Sequence, residues 1–76
     1  MPRSAATNQR MRDERRERIL AVGLELFAAR GLAATRIGDI ADRAEMAQGL
    51  LYHYFPSKEA IYLELIRGAL MDMLHA

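Results

Sequence analysis

The sequence predicts an all-α domain: a three-helix head followed by the start of a long fourth helix. Three observations carry this. Apolar residues recur at helical spacing in two stretches, one through Ile19, Val22, Leu26 and Phe27, the other through Ile37, Ile40, Ala41 and Ala44. Gly31 and Pro56 punctuate the chain where such patterns break. Between them, the run from Thr35 to Glu59 reads as two short helices joined by a tight turn, and Pro56-Ser57-Lys58-Glu59 then opens another helix.

Taken in order, residues 1–10 hold Pro, Ser, Thr, Asn and Gln with almost nothing apolar, and disorder is expected there. Residues 1–11 are read as a disordered basic arm. Helix 1 is placed at about 12–30, with Gly23 inside its apolar stripe and Arg15, Arg18, Glu25 and Arg30 around the rest. Gly31 supplies the stop, because glycine readily takes the left-handed conformation past a helix end. In the connector Leu32-Ala33-Ala34, Leu32 is expected to tuck into the core. Thr35 is the expected N-cap of helix 2, its hydroxyl accepting from first-turn N–H groups. Ile37, Ile40, Ala41 and Ala44 form that helix's buried face, while Asp39, Asp42 and Arg43 point away. Gly38 costs roughly 1 kcal/mol against Ala inside a helix, which a close backbone approach would justify.

Glu45-Met46-Ala47 forms the turn, and helix 3 runs from about Gln48 to Phe55. Leu51 and Phe55, four apart, face the core; Gln48, Gly49, Tyr52 and His53 fall on the other side. Pro56 ends the helix, and Ser57 is the N-cap candidate for helix 4, from about Lys58 onward. Ile61 and Leu65 point inward early in helix 4. From Leu65 to Leu74 the helix is apolar almost all round and needs cover on every side. The head cannot supply that cover, so the chain is expected to be an N-terminal fragment or to dimerise through this surface.

Composition narrows the classes of function. With 76 residues the chain makes one small domain, which buries only about 60% of its unfolded surface. There is no cysteine, which excludes disulfides and thiolate metal sites. His53 and His75 are too far apart in sequence to suggest a metal-binding pair. No apolar run approaches the roughly 20 residues of a membrane span, and no apolar core follows the N-terminal arginines as in a secretory signal. A cytoplasmic protein is expected. The net charge of +1 hides an asymmetry. Arg3, Arg10, Arg12, Arg15, Arg16 and Arg18 face only Asp13, Glu14 and Glu17 in the first 18 residues, leaving the remainder slightly acidic. Such an arm suits a polyanion partner; it also suits a solvated tail running into an ion-paired helix.

Two helices joined by a 3–4-residue turn form a helix-turn-helix, here at about 36–55 in a helix-turn-helix domain of residues 12–76 whose three-helix head is homeodomain-like. The second helix of this motif lies in the DNA major groove with its N-terminal residues at the base edges. Gln48 suits bidentate pairing with adenine, Gly49 allows close backbone approach, and Leu50 can touch a thymine methyl. Tyr52 and His53 suit phosphate oxygens, although a solvated surface histidine is the bland alternative for His53. Lys58 is poorly placed for the dipole of helix 4 unless a phosphate docks at that N-terminus, and Arg36 stands in the same situation on helix 2. Tyr54 and Phe55 are read as core.

Together, Ile19-Leu20, Leu26-Phe27, Arg30-Gly31, Thr35, Asp39-Ile40-Ala41 and above all the run Gly49-Leu50-Leu51-Tyr52-His53-Tyr54-Phe55-Pro56-Ser57-Lys58-Glu59 resemble the DNA-binding domain of tetracycline-repressor (TetR/AcrR) family regulators. The resemblance covers about Arg15 to Leu65, and Tyr52 to Glu59 is its most specific part. It implies a homodimeric repressor on a palindromic operator. A C-terminal domain, absent from this chain, would dimerise and bind a small-molecule inducer, and helix 4 would pass that binding on to the DNA-reading head. DNA contacts are then expected at Thr35, Arg36, Ile37, Ala47, Gln48, Gly49, Leu50, Tyr52, His53 and Lys58, with no cofactor and no metal. The chain departs from the family pattern at four places. Glu45 stands where a turn glycine is usual, Ala47 replaces a small hydroxyl, Leu50 a frequent threonine, and Gly38 a longer polar residue.

Three rival readings stand beside this one. A protein–protein module would dock a partner on helix 4 and show no salt-dependent DNA affinity. An enzyme would need a nucleophile–base pair, metal spacing or a phosphate loop, none of which the sequence offers. A membrane-surface helix at 61–76 would need a basic polar face, whereas Glu64 and Asp72 lie there.

Overall fold

The computed structural model describes residues 5–75. Four helices follow one another: α1 at Ala5–Arg30, α2 at Ile37–Arg43, α3 at Gln48–Tyr54 and α4 at Lys58–His75. No strand occurs among the described residues. Each helix places one fully buried aliphatic residue at the centre: Ile19, Ile40, Leu51 and Ile61. Val22, Leu26, Phe27, Ala41, Ala44 and Phe55 close around them, with Leu32 packed against the edge. Burying one such aliphatic side chain contributes about 1.5–3 kcal/mol, so in a domain this small the four central residues hold much of the fold.

α1 begins well before the expected position. Ala5–Met11 is helical rather than disordered, and Arg3 of the expected arm lies outside the described residues. Extension adds one backbone hydrogen bond per residue once a nucleus exists, and the core-anchored stretch around Ile19 supplies the nucleus. Gln9 Nε2 also donates to Asp13 Oδ1 at 3.0 Å, one turn on. α1 packs on both α4 and α2. At the α4 crossing stands Gly23, where an added Cβ would lie 2.9 Å from Ile61 Cγ2. Phe27 meets Tyr62 edge-on nearby, centroids 5.5 Å apart.

Gly31 ends α1 at φ +83°, the left-handed value that glycine accepts without penalty. Thr35 is not the N-cap of α2; that position belongs to Arg36. The Thr35 side chain is fully buried, and its hydroxyl donates backward to the Gly31 carbonyl at 2.8 Å. The physical reason is that carbonyls at the end of α1 lack partners within their own helix, and Thr35 reaches them. Capping of α2 falls instead to Asp39, whose carboxylate accepts from the Arg36 N–H at 3.1 Å and from Arg30 Nη1 at 3.2 Å. Asp39 is therefore engaged, not simply pointed away.

Ser57 caps α4 as expected, its Oγ accepting from the Ala60 N–H at 3.1 Å. Ile61 is buried and Leu65 half-buried. Beyond them the head leaves α4 bare: Ile66, Leu70, Met71, Met73 and Leu74 are all exposed, Leu74 by 79%. No helix among the described residues is long and apolar enough to cross a membrane.

Candidate nucleic-acid interface

The turn between α2 and α3 rests on one strained residue. Glu45 sits at φ 57°, the left-handed region where side chains are disfavoured. Backbone hydrogen bonds hold it there, with Ala44 N–H donating to Ile40 O at 2.9 Å and Met46 N–H to Ala41 O at 2.9 Å. The chain then enters α3 at Ala47, which makes no side-chain capping bond. Alanine has no acceptor to offer, in keeping with the loss of a hydroxyl read from the sequence.

α3 divides into two flanks. Leu51 is fully buried and Phe55 is 5% exposed, both against the core, while Tyr54 is half-buried beside them. On the opposite side Gln48, Gly49, Tyr52 and His53 open to solvent, Tyr52 by 48%. Leu50 is half-buried. At the neighbouring start of α2, Arg36 is exposed and Ile37 half-buried, packed against the core. The two surfaces meet where the Gln48 amide lies over Gly38. A Cβ on Gly38 would come 2.8 Å from Gln48 Nε2. The close approach expected at Gly38 is thus real, but it is made by a side chain rather than by backbone.

Among the expected contact residues, Thr35 is fully buried and Lys58 is half-buried and bonded within the chain. Thr35 is sealed in the core, with its hydroxyl committed to α1. Lys58 turns its ammonium onto the α1–α2 connector, donating to Leu32 O at 2.7 Å, Thr35 O at 2.8 Å and Ala33 O at 3.4 Å. An ammonium has three donors, and three carbonyls receive them. These carbonyls answer the dipole mismatch at the start of α4 from within the chain. Arg36, Ala47, Gln48, Gly49, Tyr52 and His53 are exposed, while Ile37 and Leu50 keep part of their surface.

One cluster escapes sequence reasoning. Arg16 on α1 stacks over the Phe55 ring at 5.3 Å, and its Nη2 lies 3.1 Å from Glu64 Oε1 on α4. Arg67 donates to the same carboxylate at 2.9 Å. Hydrogen bonds from Arg67 and Arg16 hold the Glu64 carboxyl down at about 2. Arg16 is one of six arginines in the first 18 residues, and nothing in the sequence marks it out. The capping role of Asp39 is equally hidden, since it stands three residues after Arg36, and arginine is not among the residues that mark an N-cap.

Comparison with known proteins matches the same segment. The family model described as "Bacterial regulatory proteins, tetR family" fits residues 19–65. The HTH-type transcriptional repressor KstR2 of Rhodococcus jostii (strain RHA1) is 49% identical over 59 residues, covering 78% of this chain and 29% of the relative. The HTH-type transcriptional activator FasR of Mycolicibacterium smegmatis is 40% identical over 60 residues, 79% of this chain and 27% of that protein. Among solved structures, the probable transcriptional regulatory protein RHA5900 superimposes with a TM-score of 0.74 at 47% identity, covering 79% of this chain and 32% of that one. The chain thus spans about a third of the length of these relatives. With the matched residues spanning most of the four-helix head and its exposed α3 flank, the chain belongs to the tetR family of bacterial regulatory proteins.

Proposed function

We propose that this chain is the DNA-reading head of a cytoplasmic, ligand-responsive transcriptional repressor that binds a palindromic operator as a homodimer. The observation that carries the reading is the division of α3: Leu51 and Phe55 plug the interior, while Gln48, Gly49, Tyr52 and His53 stand open on the other side. A short helix with that surface fits the major groove, its first residues at base edges and its later ones at phosphates. Gln48 would read a base through its amide. Tyr52 and His53 would take phosphate oxygens, and Arg36 would add charge from the start of α2. Neutralised phosphates give affinity that falls steeply with salt.

The bare distal face of α4 supports the remaining part. Ile66, Leu70, Met71, Met73 and Leu74 need a covering surface, and in this reading the rest of a longer protein supplies it. That part also dimerises the heads and binds the small-molecule inducer. Repression is favoured over activation by the higher identity to KstR2 than to FasR.

Selection of bound sequences from random DNA by the full-length protein tests the proposal. A palindrome is expected, with half-sites about 34–36 Å apart or a multiple of that. An enrichment without symmetry would overturn the dimeric operator. Absence of any salt-dependent DNA affinity would leave the protein-docking alternative in its place.

A further inference from the structure

We infer that Gly38, on α2, is a specificity-determining position that acts through Gln48: by lacking a side chain it seats the Gln48 amide against α2 and so fixes which base edge that amide can reach. The inference rests on the proposed reading of α3 as a major-groove helix. Three observations support it. The space that a Cβ on Gly38 would occupy is taken by Gln48, with Nε2 2.8 Å from that point and Cδ at 3.8 Å. Gln48 is the first residue of α3 and is exposed. Gly38 lies in the first turn of α2, so the amide folds away from its own helix toward the neighbouring one.

The chemistry makes the seat matter. A glutamine discriminates adenine by presenting a donor and an acceptor together to N7 and N6. Both atoms sit at the end of a side chain with three rotatable bonds, so the read base depends on which rotamer is favoured. An alanine at 38 would put a methyl group 2.8 Å from Nε2, too close for the amide to keep its place. The obstacle is the far end of a flexible side chain, so the amide would swing aside at little cost to the fold. The same change improves local helix propensity, since Ala is favoured over Gly in a helix interior. Gly38 would therefore govern what is read without governing whether the head folds.

The test compares Gly38→Ala, Gln48→Ala and the double variant of the full-length protein, using selection from random DNA followed by affinity measurements at low and high salt. Gln48→Ala should lose preference at one base position per half-site, by about 5- to 150-fold. Gly38→Ala should lose or change preference at that same position by at least about fivefold, with salt dependence unchanged and thermal melting no lower. In the double variant the methyl should add nothing to the loss from Gln48→Ala. If Gln48→Ala alters the preference and Gly38→Ala does not, the seat is overturned while the groove reading survives. If Gly38→Ala still changes preference when Gln48 is gone, the methyl meets DNA directly and the positioning role is overturned. If Gln48→Ala changes nothing, base reading by Gln48 fails, and the seat fails with it.

Discussion

The Lys58 ammonium donates to the Leu32 carbonyl at 2.7 Å and the Thr35 carbonyl at 2.8 Å, tying the first turn of α4 to the connector that leads into α2. These carbonyls belong to backbone that no helix satisfies. Replacing Lys58 with Met keeps the stem and removes the donor. A charge-assisted hydrogen bond contributes about 1.5–3 kcal/mol, so the variant should lose stability on that order in a denaturant titration. DNA affinity, corrected for the folded fraction, should keep its salt dependence. A salt slope flatter by about one unit would show instead that the ammonium serves a phosphate in the complex.

Gly23 and Ile61 set the distance between α1 and α4. A methyl at Gly23 would meet Ile61 Cγ2 at 2.9 Å, and Ile61 is fully buried with no room to retreat. Overpacking of this kind costs about 1–3 kcal/mol, against a helix-propensity gain of about 1 kcal/mol for replacing glycine. Gly23→Ala should be net destabilising in thermal melting, and Gly23→Ala with Ile61→Leu, which removes the Cγ2 branch at similar volume, should recover part of the loss. A stabilised Gly23→Ala would mean that the two helices can move apart freely.

Most of this architecture is legible in the sequence, for a physical reason. Apolar periodicity reports which face of a helix is buried, and Ile19, Ile40, Leu51 and Ile61 each lie on a stripe that spacing alone reveals. Gly31, Pro56 and Ser57 likewise act through local backbone chemistry, which travels with the residue. What spacing leaves open falls where a polar group has more than one available partner. Thr35 can cap the helix ahead or bond the helix behind, and only the fold brings the Gly31 carbonyl to 2.8 Å from it. Lys58 can meet a phosphate or carbonyls 23 to 26 residues away, a choice made by tertiary structure. α1 starts earlier than composition predicts because polar composition argues for disorder while helix propagation from an anchored core argues against it.

Glu64 joins α1 and α4 through Arg16 and Arg67, and its folded-state carboxyl titrates at about 2, well below the ordinary 4.5. The charged form is therefore the one that favours folding. Its contribution is full above pH 4.5 and is lost as pH falls from there toward about 2. The stability difference between the native chain and Glu64→Gln should be largest near neutral pH and should shrink across that window, read by thermal melting at a series of pH values. Partial solvent exposure of all three side chains keeps the difference modest. A difference that stays constant with pH would show that the network does not contribute through charge.

Tyr52 offers the cleanest separation of phosphate contact from base reading. It is 48% exposed on the open flank of α3, and its ring is not needed to fill the core behind Leu51 and Phe55. Tyr52→Phe removes only the hydroxyl. Stability should change little, because Tyr52 stands on the open flank and contributes no part of the buried core. DNA affinity should fall by about 1.5 kcal/mol or more per half-site, the contribution of a hydrogen bond to a charged acceptor. The fall should be equal for operator and unrelated DNA, since phosphates carry no sequence information. The salt slope should hold, since no charge is removed. Affinities measured on both kinds of DNA decide the matter: a loss confined to the operator would make Tyr52 a base-reading residue and move the phosphate contacts of α3 onto His53 and its neighbours.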